Sequence, residues 1–199
     1  MNSMKVNTHS IQETYNYKNL FTLFEVRFSH ERFSGEMSAE MTRVVFERGD
    51  SAAVLLYDAG QDRVFLTRQF RYPAYMRGES GRLIEIVAGI LDQGRSAVAV
   101  AHSELLEEIG YQVSELEFLC RCYLSPGAST ERIHIFLAYL HQAERCGKGG
   151  GLESEHEDIQ LLRLSRQKAL EMIQGGEILD AKTIVALQQL QYRRSVGIT

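Results

Sequence analysis

The stretch that decides the reading runs from Gly89 through Arg95 to Ser96-Ala-Val-Ala-Val-Ala-His-Ser103-Glu104-Leu105-Leu106-Glu107-Glu108-Ile109-Gly110-Tyr111. Val98, Ala101, Leu105 and Ile109 fall at helical spacing and give the segment one apolar face. Ser96 suits the N-cap, and Gly110 stands where a left-handed C-terminal cap belongs. The spacing therefore predicts a helix over Ser96–Ile109. On it Glu104, Glu107 and Glu108 lie at i, i+3 and i+4, within an arc of about 100° beside the apolar stripe. Like charges so spaced repel by about 0.2–0.5 kcal/mol per pair in an isolated helix. The helix carries no lysine or arginine to offset this, and the nearest base is Arg95. A hard divalent cation takes carboxylate oxygens and would relieve the repulsion. On spacing alone a solvated acidic face explains the pattern as well.

Working outward, short β-type runs dominate the first half. Leu20–Phe28, Glu40–Glu47, Ala52–Tyr57, Arg63–Phe70 and Leu83–Val87 read as strands, with a hairpin connection around Gly35 and a turn over Asp58–Asp62. Beyond the helix, Leu116–Leu124, Arg132–Leu140 and Asp158–Leu164 read as strands, and Arg166–Ile173 and Ala181–Gln191 as helices. A β-rich body, one central helix, further strands and C-terminal helices imply an α+β fold, or a mixed sheet with helices packed on it. The 199 residues hold one domain with a full core, or one domain plus a small element. A net charge of −4 argues against a nucleic-acid binder that relies on broad phosphate neutralisation. No run reaches the roughly 18 apolar residues of a membrane span, and Met1–Gln12 lacks the apolar core of a secretory signal. Cys120, Cys122 and Cys146 show no metal-like pairing and read as free thiols in a reducing cytoplasm.

The segment from Gly89 also resembles the Nudix box, G-x5-E-x7-R-E-U-x-E-E-x-G-U, where U is a bulky aliphatic. Gly89, Glu104, Leu105, Glu107, Glu108 and Gly110 match without a gap, and Tyr111 fills the last bulky position loosely. Arg95 and Ser103 depart from the pattern, standing where the family has a glutamate and an arginine that pair with each other. Losing both removes a pair rather than stranding one charge, which keeps the enzyme reading ahead of a dead one. Further stretches look like bacterial ADP-ribose pyrophosphatases: Arg32-Phe-Ser-Gly-Glu-Met-Ser38, Phe46-Glu-Arg-Gly49, Ala53-Val-Leu-Leu56, Arg68-Gln-Phe-Arg71, Glu85-Ile-Val-Ala-Gly89 and Ser125-Pro-Gly-Ala-Ser-Thr-Glu131. The loop Gly151-Leu-Glu-Ser-Glu-His-Glu-Asp-Ile159 resembles theirs and equally that of GDP-mannose pyrophosphatases.

The resemblance implies a Nudix α/β/α sandwich with a mixed sheet. It implies that residues 1–50 form an N-terminal antiparallel β-element exchanged in a homodimer, and that residues 51–199 form the catalytic domain. It implies Mg²⁺, with Mn²⁺ as the alternative, held by Glu104, Glu108, Glu157 and the Ala88 carbonyl. It implies Glu155 as general base, and Glu107 as a ligand or a ligand's partner. By the same resemblance Arg71 would contact phosphate, Arg43 the base and Glu131 the terminal sugar. The implied reaction is hydrolysis of ADP-ribose to AMP and ribose 5-phosphate in the cytoplasm. GDP-mannose is the alternative substrate, and a non-catalytic nucleotide-sugar binder the alternative class. No nucleic acid or membrane partner is implied.

Overall fold

A computed structural model of the chain describes residues 4–18, 20–91 and 94–198. The chain falls into two compact units, Met1–Asp50 with Tyr123–Arg132, and Ser51–Cys122 with Ile133–Thr199.

The first unit is built on an antiparallel sheet of β1 (Val6–Tyr17), β2 (Phe21–His30) and β3 (Met41–Glu47), with β2 in the centre. A turn at Gly35, whose N–H donates to the Arg32 carbonyl, links β2 to β3 as the sequence predicts. The outer side of β3 is joined by the 125–130 loop: the Phe46 N–H donates to the Ala128 carbonyl at 2.7 Å, and the Thr130 N–H to the Phe46 carbonyl at 3.1 Å. Strand β1 is absent from the sequence expectations. All twelve of its residues are exposed, so neither face needs an apolar alternation, and pairing with β2 alone holds it extended.

The second unit runs β4 (Ser51–Asp58), β5 (Arg63–Phe70), α1 (Tyr72–Met76), β6 (Arg82–Glu85), β7 (Val87–Ile90), α2 (Ala97–Ile109), β8 (Tyr111–Val113), β9 (Glu117–Tyr123), β10 (Arg132–Tyr139), β11 (Ala143–Arg145), β12 (Gln160–Ser165), α3 (Arg166–Gln174) and α4 (Ala181–Ser195). Its main sheet has the order β12-β5-β4-β10-β9, with β6 on β5 and β7 on β4. Strands β4 and β10 are parallel, whereas β12 with β5, β4 with β5, β5 with β6 and β4 with β7 are antiparallel, so the sheet is mixed. β8 and β11 pair separately.

The unbroken apolar run Ala52–Tyr57 becomes the central strand because a strand covered on both faces has no polar side. Ala52, Val54 and Leu56 form one core with Val100, Ala101, Leu105 and Ile109 of α2. Ala53, Leu55 and Tyr57 alternate to the other face, and α4 packs on β4 as well, through an interior that includes Ala186, Leu187 and Leu190. The result is the α+β sandwich expected. Each fully buried aliphatic side chain in this layer contributes roughly 1.5–3 kcal/mol.

The strand expected over Leu83–Val87 is two strands. Its first part pairs with β5 and its second with β4, and Ile86 lies at the change of partner. The Ile86 N–H, outside both ladders, donates to the Thr183 hydroxyl of α4 at 2.8 Å. Among the described residues no helix is long and apolar enough to cross a membrane.

Both ends of α2 follow from the sequence. Ser96 Oγ accepts the Ala99 N–H at 3.2 Å. Gly110 closes the helix at φ 76°, and its carbonyl accepts the N–H groups of Cys146 and Gly147. A Cβ on Gly110 would stand 2.3 Å from the Gly147 carbonyl oxygen. Gly110→Ala thus combines left-handed strain of about 1–2 kcal/mol with a backbone clash. We expect urea unfolding to show a loss of more than about 2 kcal/mol. Gly127→Ala, where a Cβ meets nothing within 4 Å, should stay within about 0.5 kcal/mol of the parent.

Candidate active site

The apolar stripe of α2 fixes its rotation, and that rotation sets the acidic residues beside β7. Glu108 is 2% exposed. Its Oε1 accepts the Ala88 N–H at 3.5 Å, while Oε2 is buried without a hydrogen-bond partner. Burial, reinforced by the charge of Glu104, pushes the Glu108 carboxyl well above the ordinary range. Glu104 is pushed up to about 7, first by burial and then by Glu107, Glu157 and Glu155, with Arg95 acting the other way. Gly89 is what lets Glu104 lie there: a Cβ on it would stand 1.9 Å from Glu104 Oε1.

An orphaned, buried carboxylate oxygen beside a second strained carboxyl, in a cradle that a methyl group would fill, suits a hard divalent cation. The donor set is right for it: carboxylate oxygens, with the backbone of Ala88 alongside. As the side chains stand, no three His, Cys, Asp or Glu among the described residues converge to enclose an ion. One reason is that Glu157 turns back on its own loop, where its Oε2 accepts the Leu152 N–H at 3.0 Å.

That loop is fixed to the end of α2. The Gly150 N–H donates to the Glu108 carbonyl at 2.9 Å, the Gly151 N–H to the Glu107 carbonyl at 3.1 Å, and the Ile159 N–H to the Gly150 carbonyl at 3.1 Å. Gly149 permits the approach, since a Cβ there would stand 2.7 Å from the Ile109 carbonyl carbon. The carbonyls that every helix end leaves unpaired are satisfied this way. The chain then forms a single exposed turn over Glu153–Glu155. Glu104, Glu107, Glu108, Glu155, Glu157 and the Ala88–Gly89 backbone are thereby brought together.

Arg71 belongs to the same unit and adds a cation whose charge reaches Glu108. Its Nε and Nη2 donate to Glu85 Oε1 and Oε2 at 2.8 and 3.0 Å. Lys182 Nζ donates to Glu85 Oε2 at 2.6 Å and to Asp180 Oδ1 at 2.9 Å. Asp180 also caps α4 by accepting the Thr183 N–H at 3.0 Å. Burial pushes the Glu85 carboxyl up, but the Arg71 bonds and the Lys182 charge outweigh it and hold it at about 2. Glu85, Asp180 and Lys182 are not among the sequence candidates. An acid in the apolar strand Leu83–Val87 and a lysine in the first turn of a buried helix were the available signals.

Arg43 and Glu131 lie in the first unit. Arg43 is exposed on β3 and lines a cavity of about 520 Å³ with Phe28, Tyr123, Pro126 and Ser129. Glu131 is 9% exposed, with Arg48 Nη1 at 3.4 Å from its Oε2. The two positions that depart from the Nudix pattern touch each other. Arg95 Nη2 donates to Ser103 Oγ and, at 3.2 Å, to the Ala99 carbonyl. A guanidinium–hydroxyl contact thus stands where the resemblance has an ion pair.

A model of the NUDIX domain matches residues 47–192. The GDP-mannose pyrophosphatases of Escherichia coli (strain SMS-3-5 / SECEC) and Shigella boydii serotype 4 (strain Sb227) are each 44% identical to this chain over 174 residues, covering 87% of it and 89% of the relative. The crystal structure of an ADP compounds hydrolase superposes with a TM-score of 0.71 at 19% identity, covering 98% of this chain and 97% of the other, which is a likeness of fold.

The Glu85 cluster predicts an acid-dependent stability. A carboxyl held at about 2 in the folded chain, against about 4.3 for a free glutamate, stabilises the fold above pH 4.3. That contribution, roughly 3 kcal/mol as an upper figure, is lost as pH falls through about 2. Thermal melts of the parent and Glu85→Gln should differ by a constant amount from pH 7 to 5 and converge between about pH 4 and 2.

Proposed function

This chain belongs to the NUDIX domain family, and on that premise we propose that it hydrolyses the pyrophosphate bond of GDP-mannose to GMP and mannose 1-phosphate. In coarser terms, the chain is a Nudix pyrophosphatase of a nucleoside diphosphate sugar. The observation that carries the proposal is the orphaned Glu108 oxygen beside Glu104 and Gly89, a place built for a cation. GDP-mannose ranks first because the 44% identical relatives bear that name. ADP-ribose, which the sequence motifs place first, is the second reading, on the strength of the stretches Arg32–Ser38 and Ser125–Glu131.

Glu104, Glu108, Glu157 and the Ala88 carbonyl would hold Mg²⁺, or Mn²⁺ in its place. When bound, such an ion neutralises charge on the pyrophosphate oxygens and lowers the pKa of a water. To join them, Glu157 would have to release the Leu152 N–H that it accepts. Glu155 takes the proton of the attacking water, and Glu107 steadies Glu104 or serves as a further ligand. Arg71 meets a phosphate oxygen, Arg43 the nucleobase and Glu131 the terminal sugar. The base sits on an exposed loop, so closure over substrate completes the arrangement.

The enzyme works in the cytoplasm as a homodimer in which the 1–50 β-element is exchanged. The exposure of β1 along its whole length, with Val6, Ile11, Tyr15 and Tyr17 uncovered, supports a partner chain there.

A substrate panel with Mg²⁺ should give the highest kcat/KM for GDP-mannose, and no turnover in EDTA. Glu108→Gln should nearly abolish turnover with the fold retained, and Glu155→Gln should lower kcat by about 10²–10⁴-fold with little change in KM. Full activity in EDTA would remove the metal role. Binding without turnover would leave the non-catalytic reading, and preference for ADP-ribose would promote the second substrate.

Sedimentation velocity should report twice the 22.6 kDa chain mass, and a shortened chain beginning at Ser51 should lose that association. A monomeric parent would end the exchanged-dimer proposal.

A further inference from the structure

We propose that Glu85 is a positioning residue for phosphate recognition, fixing the plane of the Arg71 guanidinium so that its remaining amino group, Nη1, is presented to a phosphate oxygen next to the α2 carboxylates. This rests on the hydrolase reading and adds to it the group that aims Arg71.

Glu85 is 2% exposed, while the Arg71 side chain is 40% exposed, so the carboxylate lies beneath and the guanidinium opens outward. Nε and Nη2 are both taken by the Glu85 fork. A two-bond fork between planar groups fixes an orientation as well as a distance. Nη1 is the one amino group outside that fork. The Arg71 backbone is held separately, its N–H donating to the Gly81 carbonyl at 2.6 Å.

Glu85 itself cannot turn away. Lys182 grips its Oε2 from the other side and is in turn held by Asp180, the N-cap of α4. Swinging Glu85 outward would take from a lysine that is 8% exposed one of its two carboxylate partners. The four charges alternate in sign, Asp180, Lys182, Glu85 and Arg71, so the chain of contacts is balanced and tied to the start of a packed helix. A free arginine loses much side-chain freedom on meeting an anion. Here that loss has already occurred on folding, which is how preorganisation strengthens binding.

The test is a double-mutant cycle of Glu85→Gln and Arg71→Met on GDP-mannose hydrolysis at fixed Mg²⁺, with kcat and KM determined separately and thermal melts run in parallel. Glu85→Gln alone should lower kcat/KM by up to about 100-fold, chiefly through KM. In the Arg71→Met background the same change should alter kcat/KM by less than about twofold. If Glu85→Gln does not fold, the pair Glu85→Gln/Lys182→Met, which removes one charge of each sign, replaces it in the same cycle. Equal losses in both backgrounds, or a lower melting temperature with unchanged kcat/KM, would overturn the inference and leave the hydrolase reading standing. A parent without turnover on any nucleoside diphosphate sugar would overturn the hydrolase reading and this inference with it.

Discussion

Glu108 is a carboxyl with almost no access to water, hydrogen-bonded on one oxygen to the strand backbone and on the other to nothing. Leaving such a group buried costs about 1–3 kcal/mol, more when it is charged. Glu104 adds a second raised carboxyl within range. The rest of the second unit is arranged so that α2 keeps its place despite this. Its apolar face is sunk in the β4 core, its start is capped by Ser96, and its last carbonyls are taken by the Gly110 cap and the loop after Gly149. Strand β7 contributes a glycine where any side chain would strike Glu104.

Local features were readable in the chain and non-local ones were not. Helix α2, with its caps and its three glutamates, follows from spacing within fifteen residues. The central strand follows from an apolar run. By contrast, the division of Leu83–Val87 depends on where β4 and β5 part, and no residue inside the segment signals it. The bond between Lys182 and Glu85 joins positions 97 apart. An acid in an apolar strand and a lysine at the start of a buried helix are each a weak cue, but neither names the other, since the pairing of a buried charge shows only once both partners are in place. Arg71 was visible as a candidate, but the carboxylate that orients it was not.

The two departures from the Nudix pattern are physically one change. Arg95 reaches Ser103 and the Ala99 carbonyl, so a side chain ahead of the helix bonds to its first turns. One positive charge remains in that neighbourhood, and it acts on Glu104 in the favourable direction. No isolated counter-charge has been left on the helix by the replacement. This is the reason to treat the box as altered in wiring rather than emptied of function.

The raised carboxyls of Glu104 and Glu108 have a consequence for how the site fills. Burial and the mutual repulsion of the two groups make the ligand-free carboxyls hold protons more readily than an ordinary glutamate does. A divalent cation held by these carboxyls would have to displace such protons, so loading would be an exchange of protons for metal rather than a simple addition. Affinity would then rise with pH. Ion and proton would then compete for the same two carboxyls, and ambient acidity would act as a dial on how much of the chain is charged with metal.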